Sequence, residues 1–362
     1  MSSRKKIRFI VPYPPGQAPS QRFRFEQYLP WLKEQGFDIT VSPFLDDQTW
    51  KTLYRPGHFF AKAWGISKSF FRRFGLLFSL QKDESVFIHR EAAPMGPPVF
   101  EWMLAKVLRK PYIYDFDDAI WLPNYSESNA RFQRLKAYGK VRKIAKWAGH
   151  VTVGNDYLAN FARTYNSNVT IIPTTIDTDH LHRPSEKPKT GLIIGWTGTH
   201  STMHYLDELI PVLQELETRY VFTFLVISDQ APGYDLRSLR FVPWNKTTEI
   251  ADLQRISIGV MPLKADQWSE GKCGFKGLQY MALEIPTILS PVGVNTTIIT
   301  DGENGMIAST TEEWAQKLSL LLEDEFLRES LGKAGRRTVI ERYSVVAMKH
   351  RYLEILGGTS GV

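Results

Sequence analysis

Four short stretches of the chain combine residue types that could do chemistry. Glu270-Gly-Lys-Cys-Gly-Phe-Lys-Gly-Leu-Gln-Tyr-Met-Ala282 sets Lys272, Lys276 and Gln279 at i, i+4 and i+7, one face of a helix if the helix reaches that far back. If the helix begins near Gly274 instead, Lys272 stands at its amino terminus. Two lysines at a helix start oppose the dipole, and an anion such as a diphosphate would relieve them; the plainer reading is two solvated cations. Trp196-Thr-Gly-Thr-His-Ser-Thr202 offers Gly198, Thr199 and neighbouring backbone N–H groups to an anion, although Ser and Thr before a helix are also ordinary caps. It is neither a Gly-x-Gly-x-x-Gly turn nor a P-loop. Tyr114-Asp-Phe-Asp-Asp-Ala119 gathers three carboxylates suited to a general base, a hydroxyl contact or a divalent cation; for Asp117 or Asp118, capping a turn is the competing role. Pro12-Tyr-Pro-Pro-Gly-Gln-Ala-Pro-Ser20 is a stiff turn in which Gly16 would let a substrate approach the backbone. Arg22 or Arg24 would add a cation there, unless the turn is a mere connector.

These stretches need strand-to-helix turns to hold them, and the sequence supplies the alternation. Ile7–Val11, Asp38–Ser42, Ser85–His89, Pro111–Tyr114, His150–Val153 and Val169–Ile172 read as strands. Gln21–Glu34, Val99–Leu108, Ala130–Trp147 and Asp156–Thr164 read as helices between them. The second half repeats the pattern. Its strands are Leu192–Trp196, Phe222–Ile227, Leu239–Val242, Ile258–Met261, Thr287–Ser290 and Met306–Ala308. Helices fall at His204–Leu216, Thr248–Arg255, Phe275–Leu283 and Thr311–Leu322, and a helical tail runs from Glu325 to Leu356. Alternation of this kind implies α/β architecture with parallel sheets covered on both faces. Occurring twice, it predicts two doubly wound, Rossmann-like domains facing a cleft. The Pro-containing stretch Arg183–Thr190 is the natural linker and hinge.

Composition narrows the class. A chain of 362 residues with 43% hydrophobic and 23% charged residues has material for two cores and is not disordered. A single cysteine excludes a disulfide framework, a cysteine zinc site and an iron–sulfur cluster, and fits a reducing, cytoplasmic setting. The short apolar run before Pro12 is read as a first strand, not a signal peptide. Residues 1–200 carry 29 Lys and Arg against 17 Asp and Glu, and the remainder 16 against 21. The first half therefore faces something anionic: nucleic acid, a membrane surface or a phosphorylated substrate. A soluble basic face is the bland alternative.

Ile172-Pro-Thr-Thr-Ile-Asp177 resembles the "IPNGVD" stretch that ends the amino-terminal domain of retaining GT-B glycosyltransferases of family 4. Phe275–Pro286, Ser290-Pro-Val-Gly-Val-Asn295 and Asp301-Gly-Glu-Asn-Gly305 resemble the same family's nucleotide-sugar region. The resemblance covers roughly residues 150–355. It implies an acceptor domain over 1–184, a nucleotide-sugar domain over 185–340 and a terminal helix over 341–362 crossing back to the first domain. It further implies a bacterial cell-surface polysaccharide enzyme that moves a sugar, with retention, from a nucleotide diphosphate sugar to a glycan or lipid-linked hydroxyl. On that reading the donor is a substrate and no separate cofactor or metal is needed, although Asp115-Phe-Asp117 imitates the metal motif of another glycosyltransferase architecture. Lys272 and Lys276 would neutralise the leaving diphosphate, Gln279 would hold the ribose, and Val242 and Trp244 would lie near the base. Gly16, Gly198 and Thr199 complete the donor contacts, and Asp115 would touch a hydroxyl at the reacting centre. The family's paired glutamates are not kept: Gln279 replaces the second, and Glu270 lies one place off the first. A nucleotide-sugar epimerase and a basic nucleic-acid-binding protein are the rival functions, and no nucleic-acid module is recognisable.

Arg55–Leu80 is not explained by that resemblance. Lys62, Lys68, Arg72 and Arg73 are interleaved with Phe59, Phe60, Trp64, Phe70, Phe71 and Phe74, with no acidic residue between. An interfacial helix on anionic lipid has this composition; a core helix with solvated cations is the alternative.

Overall fold

The computed structural model describes residues 5–53, 55, 57–123, 136–186 and 191–358. The chain divides into two compact units, Met1–Thr174 with Lys349–Val362, and Thr175–Met348. Part of the expected helix Ala130–Trp147 and the end of the linker Arg183–Thr190 lie outside the described residues.

The first unit holds a six-stranded sheet of β1 (Lys5–Val11), β2 (Phe37–Pro43), β3 (Ser85–His89), β4 (Tyr112–Phe116), β5 (His150–Val153) and β6 (Val169–Ile171). Spatial order is β2-β1-β3-β4-β5-β6 and every pairing is parallel. Strand β4 is buried at all five positions, as expected for a central strand covered by helices on both faces. It runs on to Phe116, so Asp115 lies within the strand and not after it.

The second unit repeats the design with β7 (Ile193–Thr197), β8 (Thr223–Ser228), β9 (Leu239–Pro243), β10 (Ile258–Met261), β11 (Thr287–Leu289) and β12 (Met306–Ile307). Its order is β12-β11-β10-β7-β8-β9, again parallel. The two-residue period of a strand sorts its side chains onto two faces. Ile194, Trp196, Phe224, Val226, Ile258 and Val260 join one core cluster, whereas Leu225 and Ile227 join another with Tyr280 and Ile256. Two parallel, helix-covered sheets are the architecture expected from the sequence.

Differences from expectation are local. The stretch Gln21–Glu34 is broken into Pro19–Arg22, Glu26–Tyr28 and Leu29–Glu34, and Val99–Leu108 tightens and loosens through a π turn at Met103–Val107. The carboxyl-terminal tail is two helices, Glu325–Arg342 and Val345–Gly358. They are interrupted where Ser344 bridges to Ile176. Among the described residues no helix is long and apolar enough to cross a membrane.

The helix Glu325–Arg342 fixes the end of Phe275–Ala282. Glu284 sits at φ +57° just after the latter helix, and Arg336 donates to the carbonyls of Ala282, His182 (2.9 Å) and Thr178 (3.2 Å). Gly332 allows the approach: a Cβ there would fall 2.3 Å from the Glu284 carbonyl oxygen and 2.9 Å from its carbon. Backbone cannot yield cheaply, so Gly332→Ala should cost about 1–3 kcal/mol, in the range of overpacked cores. Thermal unfolding would show it, and an unchanged midpoint would mean the two helices slide freely.

Candidate functional site

In open parallel sheets, ligands bind beyond the carboxyl ends of the strands where the winding reverses. In the second unit that reversal lies between β7 and β10. Strand β7 delivers Trp196, buried, and then Gly198. A Cβ on Gly198 would lie 2.5 Å from Trp196 Cζ2 and 2.9 Å from Thr202 Oγ1, so only glycine lets the loop cross the edge of the indole. The Lys276 ammonium stands 5.3 Å from the centre of the same ring, a cation–π distance. Gly198 and Lys276, far apart in sequence, therefore meet at one indole near the end of β7.

The helix Phe275–Ala282 begins after Gly274, whose φ of +67° is the left-handed conformation glycine adopts freely. Of the two geometries the sequence left open, the later start holds: Lys272 precedes the helix and Lys276 lies in its first turn. Lys272 is placed over a different ring, 4.8 Å from the centre of Trp268. Gln279 is buried, donating to His182 Nε2 at 3.3 Å and lying 3.5 Å from Glu249 Oε1. His182 and Glu249 are buried too. Glu249 thus places a carboxylate beside Gln279 from another element; nothing in the sequence spacing marks it. Tyr280, on the same helix, accepts the Thr197 backbone N–H at 2.9 Å and locks the end of β7 to it.

Thr199 is at the N-cap of the short helix His200–Met203 but makes no side-chain cap bond; its hydroxyl pairs with Ser201 at 2.8 Å. His200 is held twice by Asp229, through its backbone N–H and through Nδ1, both at 2.7 Å. Burial opposes ionisation of Asp229, but these bonds win and keep its carboxyl below the usual range. This half-exposed pair at the ends of β7 and β8 was not singled out in the sequence. Val242 and Trp244 are half-buried at the end of β9, packed against the cluster containing Tyr280.

In the first unit the winding reverses between β1 and β3. The turn after β1 is tied down by Gln21, which exchanges hydrogen bonds with the Tyr13 backbone at 3.0 and 3.1 Å. Gly16, at φ +76°, donates its N–H to Glu26 Oε2 at 2.8 Å. Its amide is therefore engaged within the turn. Of the two cations the sequence offers there, Arg22 and Arg24, Arg24 is buried and ion-paired with Asp115.

Asp115, expected to touch a hydroxyl, has no exposed surface. Its carboxylate accepts from Arg24, from Thr152 at 2.7 Å and from His89 Nδ1 at 2.8 Å. Burial would raise its pKa, but the Arg24 charge and the His89 hydrogen bond hold it well below the ordinary carboxylate value. Such a group positions its neighbours and does not present itself to a substrate. Asp117 and Asp118 are gripped by Arg90, at 2.7 and 2.6 Å. Arg90 holds φ +58°, a conformation that costs energy and is retained only where surroundings demand it. Among the described residues no cluster of His, Cys, Asp and Glu is arranged to hold a metal ion.

The paired parallel sheets and their orders define a GT-B architecture, and known structures agree. The chain is similar to sucrose-phosphate synthase from Thermosynechococcus elongatus, 12% identical with TM-score 0.72 over 98% of both chains. It is also similar to a glycosyltransferase from Rickettsia africae, 13% identical with TM-score 0.69 over 100% of both. Anabaena HepE in complex with UDP-glucose is 13% identical with TM-score 0.63, over 98% of this chain and 99% of that one. No curated protein sequence matches. Residues 177–338, a segment that lies within the second unit, match the family described as Glycosyl transferases group 1.

Proposed function

We propose that the protein transfers a sugar, with retention, from a nucleotide diphosphate sugar to a hydroxyl on a glycan or lipid-linked acceptor. The observation that carries this reading is the meeting of Gly198 and Lys276 at Trp196, near the carboxyl end of β7 and inside the matched segment. A fixed cation beside a backbone loop in that position stabilises the diphosphate as it leaves, the electrostatic contribution that dominates such reactions. Lys272 adds charge from the preceding loop. Gln279, with Glu249 behind it, recognises the ribose, and Val242 and Trp244 flank the base. The acceptor belongs to the basic first unit. Retention and membership of family 4 rest on the resemblance of residues 172–177 and 275–305.

The chemistry needs no divalent metal on this reading, because the carboxylates that imitate a metal motif are already neutralised by Arg24 and Arg90. HepE binds UDP-glucose, which makes UDP the first nucleotide to test. Thermal shifts with UDP, GDP, dTDP and ADP should show one clear stabiliser, and turnover of the matching donor should depend on acceptor and survive EDTA. Donor conversion without acceptor would replace transfer with epimerisation. Activity abolished by EDTA and restored by manganese would overturn the metal-free reading.

A further inference from the structure

The helix Phe59–Ser79 is built inside out. Its buried positions are Gly65, Ser69, Arg73 and Leu77, four residues apart and therefore one stripe. Three of these four are small or polar. Arg73 points into the fold, donating to the carbonyls of Ser42 (2.9 Å) and Val11 (3.0 Å). Arg72 binds Asp46 at 3.2 Å and the Phe44 carbonyl. These two arginines, expected from the sequence to meet lipid, are instead the pegs that fasten the helix to the ends of β1 and β2.

Phe70 packs on Phe44 and Phe100, and Phe74 packs on Phe100. At about 100° per residue, Phe60, Trp64, Phe71 and Phe78 fall within an arc of roughly 40° opposite the buried stripe. Phe60, Trp64, Phe71 and Phe78 are 87%, 74%, 77% and 82% exposed. Leaving that many large rings in water on a well-packed unit is costly, and a contiguous exposed apolar face marks an interaction site. Lys68 is exposed on its flank, and no acidic residue occurs between Arg55 and Leu80.

We propose that this face docks on an anionic phospholipid surface, lying in the headgroup plane with the rings inserted. The exposed face runs along a 21-residue helix that carries no acidic residue, so nothing on it repels an anionic surface. Its rings and uncompensated cation match an anionic bilayer. The surface stands on exposure and charge alone and does not depend on the glycosyl-transfer reading.

The test is sedimentation of the full chain with phosphatidylglycerol-containing and pure phosphatidylcholine vesicles at low and high salt. Binding should favour the anionic vesicles and weaken with salt. Trp64→Ser with Phe71→Ser should weaken it at least tenfold while leaving the thermal midpoint unchanged, because neither ring is packed. Lys68→Glu should reduce binding and its salt dependence. Lipids brominated near the headgroup should quench tryptophan fluorescence in the wild type and less in Trp64→Phe. A wild-type protein that stays in the supernatant, or a double variant that binds equally well, would overturn the proposal. So would a concentration-dependent dimer abolished by the same double variant, which would assign the face to a second copy.

Discussion

Asp115→Ala is expected to destabilise the first unit by about 3–5 kcal/mol, the cost of breaking a buried ion pair by removing one partner. The substitution strands the Arg24 guanidinium, which has no exposed surface and depends on this carboxylate. Thr152 and His89 lose their acceptor at the same stroke. Denaturant unfolding followed by circular dichroism would report the loss as a lowered midpoint. Asp115→Asn separates the two roles open to this residue. If the variant keeps the wild-type midpoint and loses only turnover, Asp115 acts on substrate after all. A pH dependence follows from the same geometry. The folded carboxyl is held below its unfolded value, so its stabilisation is complete above about pH 4 and fades as pH falls further toward the folded value.

Lys276→Ala should weaken nucleotide diphosphate binding by about 1.5–3 kcal/mol, as for other hydrogen bonds to charged groups, or roughly 10- to 150-fold in Kd. The ammonium is held over Trp196 beside the Gly198 loop, so it loses little freedom when a phosphate arrives. Lys272, over Trp268 and outside the helix, should matter less, at the lower end of that range. Lys276→Arg should retain most of the affinity, since charge is what the position supplies. Calorimetry giving equal affinity for the wild type and both alanine variants would remove the diphosphate from this end of the sheet.

The strands were legible because parallel, doubly covered strands are continuous β-branched and aromatic runs, as in Tyr112–Phe116. Their ends were less so, and that one shift matters: two more residues of β4 carry Asp115 from a turn into the core. Gly198 and Lys276 stand out from local chemistry, since glycine in a strand-to-helix turn leaves the backbone open to close approach and lysine at a helix start opposes the dipole. Their meeting at Trp196 was not legible, because nothing local states which strands are neighbours. Partners recruited across the sequence stayed hidden for the same reason. Glu249 stands behind Gln279 from thirty positions away, and Arg24 and His89 reach Asp115 from 91 and 26. Composition gives the aromatic helix an interfacial character, but Arg72 and Arg73 turn to backbone carbonyls of the fold. Composition gives a face its character, but only neighbouring carbonyls reveal which cation turns inward.

The first unit closes with a residue made after the whole of the second unit. Tyr352 is buried, donates its hydroxyl to the Arg24 carbonyl, and lays its ring 4.3 Å from that of Tyr28. A ribosome that has finished residues 1–174 has made every strand of the first sheet but not the side chain that seals its cluster. The second unit, Thr175–Met348, is contiguous and can complete itself during synthesis. Order of manufacture and order of completion are therefore reversed: the first unit lacks this contact until the helix Val345–Gly358 has been made.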